Sequence, residues 1–121
     1  MALILFIDDN RDTLALLEQA ARLVGHESIS SQTPDQGFNL ALVQRPDLIF
    51  IDFYLTSSSG DQLIKKIRQA ALLLNTPIIV LSAAMTSEQA AQVLAAGANR
   101  CMQKPLSLSD LTQAIESITE P

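Results

Sequence analysis

The 121-residue chain has one cysteine, no tryptophan and an aromatic content of only 4%. The lone Cys101 excludes an internal disulfide and suits a reducing cytoplasm. With so few rings available, Leu, Ile, Val and Ala must fill any core. No apolar run approaches the roughly 20 residues that a membrane helix needs. The run that opens the chain lacks a basic start and stops on Asp8-Asp9, so it does not read as a signal peptide. Basic residues number 8 against 13 acidic ones, a net charge of −5. Without a Lys/Arg block to neutralise phosphates, direct nucleic-acid binding is not expected. Low-complexity stretches, internal repeats and interdomain linkers are also missing, so residues 1–121 are expected to form a single domain. What is present is 48% apolar and 17% charged, a globular composition on a chain long enough to bury a core.

Strand and helix patterns alternate five times. Ala2 to Ile7 is a buried apolar run of the kind found in parallel sheets. Asn10 then caps a helix with Leu14, Leu17, Ala21 and Val24 on one face, ended by Gly25. Glu27 to Ser31, polar and alternating, predicts an edge strand. Thr33 and Pro34 mark the N-cap and first helical position of a second helix over Asp35 to Gln44. Pro46-Asp47 restarts a strand that runs through Ile51. Thr56-Ser57-Ser58-Ser59-Gly60 reads as a loop. A third helix carries Leu63, Ile64, Ile67 and Ala71 and is broken by Asn75-Thr76-Pro77. Ile78 to Leu81 is a buried strand ending at Ser82. Thr86 and Gln89 form a capping-box pattern for a fourth helix that Gly97 terminates. Asn99 to Met102 predicts a short fifth strand. Ser107 and Asp110 box a fifth helix, with Leu106 and Leu111 as its staple and Leu108, Leu111, Ile115 and Ile118 as its apolar face. Five such units imply an α/β fold with helices on both faces of the sheet.

Ligands of open α/β sheets sit beyond the carboxyl ends of the strands. Strand one delivers Asp8 and Asp9 there, strand three Asp52, strand four Ser82, and strand five leads into Lys104. Each carboxylate pair at ~4 Å would repel by about 4 kcal/mol at an effective dielectric of 20. Such a cluster calls for a divalent cation, a lysine, or both. An all-oxygen cage suits a hard ion such as Mg²⁺, with Mn²⁺ as a substitute. A carboxylate shielded by a metal and a cation can act as a nucleophile toward phosphorus. In that chemistry the protein mainly positions the groups and neutralises the phosphoryl oxygens. Asp52 is then the expected nucleophile, Asp8 and Asp9 the metal holders, and Lys104 and Ser82 the phosphoryl contacts. Taken singly, each residue has a plainer reading. Acids near helix starts serve as caps and dipole partners, Ser82 as a turn residue, and Lys104 as an extended surface position before Pro105.

Asp8-Asp9, Asp52 followed by Gly60, Ser82-Ala83, Gly97-Ala98 and Lys104-Pro105, in this order and spacing, resemble the receiver domain of two-component response regulators. The resemblance runs from about Ala2 to Thr119. It implies a flavodoxin-like, doubly wound (βα)5 sandwich with a parallel sheet of order 2-1-3-4-5. It also implies that Asp52 accepts phosphate from the phosphohistidine of a histidine kinase or histidine phosphotransfer protein, with Mg²⁺ present. By the same resemblance, Asp9 and Asp52 bind the metal directly, Asp8 mainly through water, and the Tyr54 backbone carbonyl adds a ligand. Ser82 stands where the family has a Thr or Ser that moves onto the phosphate. The readout face would be the fourth helix, fifth strand and fifth helix, presented to a protein target or a covalently linked output domain.

Several positions depart from the family pattern. Thr56 stands where a proline is usual, Cys101 where an aromatic switch residue is usual, and Asn99-Arg100 where acids often follow Gly-Ala. Tyr54 is bulky beside the approach of a hydrolytic water and is expected to slow loss of phosphate. A phosphorylation-controlled switch is the leading reading. The same fold acting as a constitutive interaction module, its switching impaired by Cys101 and Thr56, is the alternative. A metal-dependent aspartyl-phosphate phosphatase is less favoured, because Tyr54 occupies the place where that chemistry needs an acid/base carboxylate.

Overall fold

A computed structural model describes residues 2–55, 59–104 and 106–119. Thr56, Ser57, Ser58 and Pro105, together with the Ile118 side chain, lie outside the described residues. Five strands, β1 (Leu3–Ile7), β2 (Glu27–Ser31), β3 (Leu48–Asp52), β4 (Ile78–Ser82) and β5 (Arg100–Gln103), form one parallel sheet in the order 2-1-3-4-5. Between and after them run α1 (Arg11–Leu23), α2 (Pro34–Gln44), α3 (Gly60–Gln69), α4 (Ser87–Ala96) and α5 (Leu108–Thr119). This is the α/β architecture expected from the alternation of apolar runs and helical patterns, with the flavodoxin-like strand order that the family resemblance implies.

The strands β3 and β4 are buried at every position, as strands covered on both faces must be. Side chains alternate across the sheet, and the alternation sorts the core into two layers. Leu5, Ile7, Ile49, Ile51, Ile78 and Val80 pack with α3 residues Leu63, Ile64 and Ile67 and with Val93 of α4. On the other face Ile4, Phe6, Phe50, Ile79 and Leu81 pack with Leu14 and Leu17 of α1 and with Leu111 and Ile115 of α5. Phe6 and Phe50 meet in this second layer, ring centroids 5.3 Å apart.

The helix starts follow their sequence signals. Asn10, Thr33, Thr86 and Ser107 each accept a hydrogen bond from the backbone N–H three residues on, at 3.0 to 3.2 Å. Gly97 ends α4 at φ 125°, and a Cβ there would stand 2.6 Å from Arg68 Cγ. Several boundaries differ from expectation: β1 starts at Leu3 and β3 runs from Leu48 to Asp52, and two further shifts have a clear cause. Helix α3 stops at Gln69, so Ala71 leaves its apolar face and opens a separate 3₁₀ turn, Ala71–Leu73. The cause is tertiary: the Arg68 guanidinium donates to the Leu73 and Leu74 carbonyls at 2.9 and 3.3 Å and fastens the chain in that turn. Strand β5 begins at Arg100 because Asn99 is spent as a clamp. Its Oδ1 accepts from the Ile78 N–H and from Arg68, at 2.9 and 3.0 Å. Among the described residues no helix is long and apolar enough to cross a membrane.

Candidate functional site

The carboxyl ends of β1 and β3 are adjacent in the sheet, and this alone brings Asp8, Asp9 and Asp52 together. One carboxylate oxygen from each lies within 4.8 Å of the others. Asp8 is 1% exposed and Asp52 7% exposed, whereas Asp9 faces solvent. Both oxygens of the buried Asp8 carboxylate are engaged: Oδ1 accepts from the Asn10 N–H at 2.9 Å, and Oδ2 faces Lys104 Nζ at 2.7 Å. The ammonium is 3.6 Å from Asp52 Oδ2. Lys104 is held in reach because its backbone N–H donates to the Ser82 carbonyl at 2.8 Å, extending the β4–β5 ladder by one rung.

The Asp52 carboxyl is pushed up from 3.8 to about 6. Burial is the main cause and the charge on Asp8 the next; Lys104 and the Tyr54 backbone N–H oppose them, and Asp9 adds a smaller upward push. Three carboxylates against one ammonium leave the cluster short of positive charge. With Asp9 open to solvent, this donor set fits a hard divalent cation. Gly60 sits against the end of β3: its N–H donates to the Phe53 carbonyl, and a Cβ there would lie 3.0 Å from Phe53 Cα and 3.1 Å from the Asp52 carbonyl oxygen.

Ser82 is completely buried at the end of β4. Its hydroxyl accepts from the Ala84 N–H and donates to Gln89 Oε1, both at 3.3 Å. Tyr54 is 52% exposed, packs edge-on to Phe53 at 5.0 Å, and takes a hydrogen bond on its hydroxyl from Gln89 Nε2. The structure therefore brings Asp8, Asp9, Asp52 and Lys104 into one cluster and sets Ser82 and Tyr54 beside it, with Gln89 between the last two. Sequence reading assigned Gln89 to a capping box. Only the Thr86 half of that box is made, and the Gln89 amide turns toward the site instead. Nothing in local spacing distinguishes these two uses of a glutamine.

The description "Response regulator receiver domain" matches residues 4–116 of the chain. The chain belongs to this family. Receivers are regulatory phosphoacceptors of two-component signalling rather than true enzymes, and they interact with histidine kinases. Among similar proteins, the phosphate regulon transcriptional regulatory protein PhoB of Pseudomonas aeruginosa is 27% identical over 115 residues, 95% of this chain and 50% of that protein. The two-component response regulator ARR17 of Arabidopsis thaliana is 28% identical over 120 residues, 89% of this chain and 78% of its own length. The receiver spans about half the length of several curated relatives it matches. Its backbone superposes on chemotaxis protein CheY4 of Vibrio cholerae with a TM-score of 0.93 at 22% identity, covering 98% of both chains, a likeness of fold.

Proposed function

We propose that residues 1–121 act as a phosphoacceptor switch in which Asp52 takes a phosphoryl group from the phosphohistidine of a histidine kinase or histidine phosphotransfer protein. The observation that carries this reading is the Asp8/Asp9/Asp52 cluster with Lys104 at the carboxyl edge of a receiver sheet. An Asp52 oxygen attacks phosphorus, the P–N bond to the donor imidazole breaks, and the histidine leaves as the neutral ring once it carries a proton. Asp8, Asp9, Asp52 and the Tyr54 carbonyl would hold Mg²⁺ or Mn²⁺ there. Bound there, the ion supplies the positive charge that keeps Asp52 ionised and shields the incoming phosphoryl oxygens. Lys104 lies within reach of the same oxygens, and the Ser82 hydroxyl closes on them once it leaves Gln89.

The α4, β5 and α5 face carries the output to a cytoplasmic protein target or a linked domain. Exposed Leu94 beside the low-relief Ala90 and Ala91, with Arg100 nearby, gives that face its chemistry. Incubation with acetyl phosphate or phosphoramidate, with and without Mg²⁺, followed by intact mass tests the reading. A phosphoryl adduct that needs Mg²⁺ and disappears in Asp52→Asn is expected; its absence from the wild-type protein refutes it. One observation favours a second reading. Cys101, half-buried against the α3/α4 core layer, offers no aromatic rotamer to switch, as in a constitutive interaction module. Partner affinity that is indifferent to phosphorylation would select that alternative.

A further inference from the structure

We infer that Gln89, a residue outside the acidic cluster, is a positioning residue that restrains the unphosphorylated site by bridging Ser82 to Tyr54. The inference rests on the phosphoacceptor reading above. The Ser82 hydroxyl has one proton. Its oxygen already takes the Ala84 N–H, and the proton goes to Gln89 Oε1. A hydroxyl can donate only once, so Ser82 cannot donate to a phosphoryl oxygen until it releases Gln89. The other end of the same amide holds the Tyr54 hydroxyl. That contact fixes a half-exposed ring two residues after the acceptor, where a hydrolytic water must approach Asp52. One side chain thus competes with the phosphoryl group for Ser82 and sets the position of the Tyr54 ring.

The location of Gln89 gives the exchange an outlet. It lies in the first turn of α4, whose buried contribution to the core is Val93. The same helix is tied to α3 by a second polar contact, Gln92 Nε2 to the buried Asp61 Oδ2 at 2.8 Å. A helix that buries only Val93 fully, packs Ala96 partly against the core and is tied by two glutamines responds when either glutamine changes partner. Release of Gln89 by Ser82 is such a change, and it does not pass through Cys101.

The test uses the full chain with acetyl phosphate and Mg²⁺. Adduct formation, and adduct decay after donor removal, are followed by intact mass. In Gln89→Leu the freed Ser82 hydroxyl speeds phosphorylation and the released Tyr54 ring speeds hydrolysis, each by about two- to tenfold, as expected for loss of one neutral hydrogen bond. Tyr54→Phe, which keeps the ring, reproduces the faster decay alone. The decisive readout is non-additivity. Gln89→Leu no longer alters the forward rate in Ser82→Ala, and no longer alters decay in Tyr54→Phe. Unchanged rates in Gln89→Leu, or changes that persist undiminished in both double variants, overturn the inference while leaving Asp52 as the acceptor. No adduct on the wild-type protein overturns the phosphoacceptor reading, and this inference with it.

Discussion

Replacing Asp52 by Asn should make the metal-free protein more stable at neutral pH, although it removes the proposed acceptor. The Asp52 carboxyl is raised to about 6 in the fold from 3.8, chiefly by burial and by Asp8, and its side chain is only 9% exposed. A raised acid holds a proton in the native state that the unfolded chain has already released. Stability therefore falls as pH climbs from about 4 to about 6, and the full penalty persists above that window. Two pKa units correspond to about 3 kcal/mol at most. The value of about 6 already includes the attraction to Lys104 3.6 Å away, so asparagine removes the net penalty, which solvent screening at the partly hydrated site reduces to about 1–2 kcal/mol. For a chain of this size that raises Tm by about 3–8 °C. Urea unfolding in EDTA between pH 4 and 8 should show a flatter profile for Asp52→Asn than for the wild type. Mg²⁺ should reverse the ranking, because it binds the native carboxylates of the wild type and stabilises by mass action. An Asp52→Asn protein less stable than the wild type in EDTA at pH 7.5, or with the same pH slope, would refute the argument that Asp52 is strained by its neighbours.

Other perturbations have equally definite outcomes. Lys104→Met removes the cation 2.7 Å from buried Asp8 and should cost the metal-free protein about 3 kcal/mol in urea unfolding, with part of the loss restored by Mg²⁺. Tyr54→Ala should shorten the phosphoryl lifetime in a decay measurement by uncovering the approach to Asp52; an unchanged lifetime would show that the ring does not shield it. Gly97→Ala imposes φ 125° on a residue with a Cβ and drives that atom to 2.6 Å from Arg68 Cγ. It should lower stability by about 1–3 kcal/mol by thermal melting.

The sheet was legible because its strands announce themselves in two ways. Ile4 to Ile7 and Leu48 to Ile51 are continuous apolar runs, and even the polar Glu27 to Ser31 keeps the alternation of an edge. Acids at two strand ends then needed only the strand order to become a cluster, and a parallel sheet with β1 beside β3 supplied it. Less was legible where a side chain chooses between local and distant partners. The end of α3 depends on Arg68 reaching carbonyls five and six residues on, which periodicity does not encode. Gln89 has the spacing of a capping box with Thr86, yet its amide serves Ser82 and Tyr54. Both misreadings share one physical origin. Long polar side chains have several partners of similar energy, and tertiary geometry picks among them.

That choice bears on how the switch can work without an aromatic on β5. Phosphorylation favours an active state only by as much as the phosphoryl group interacts better there. In the proposed switch Ser82 would exchange Gln89 for a phosphoryl oxygen, a neutral hydrogen bond for a charge-assisted one of roughly twice the strength. The difference, about 1 kcal/mol, shifts a two-state population about fivefold. Lys104 adds to it as its pairing with Asp8 is shared with a dianionic group. Cys101 contributes little, since a small side chain already seated against the α3/α4 core layer repacks by only a small area. In this reading the differential energy is concentrated in polar exchanges at one end of α4, a helix that fully buries only Val93, packs Ala96 partly against the core and carries polar ties through Gln89 and Gln92. A light apolar anchor keeps the cost of moving that helix low, so a modest differential at Ser82 suffices to move it.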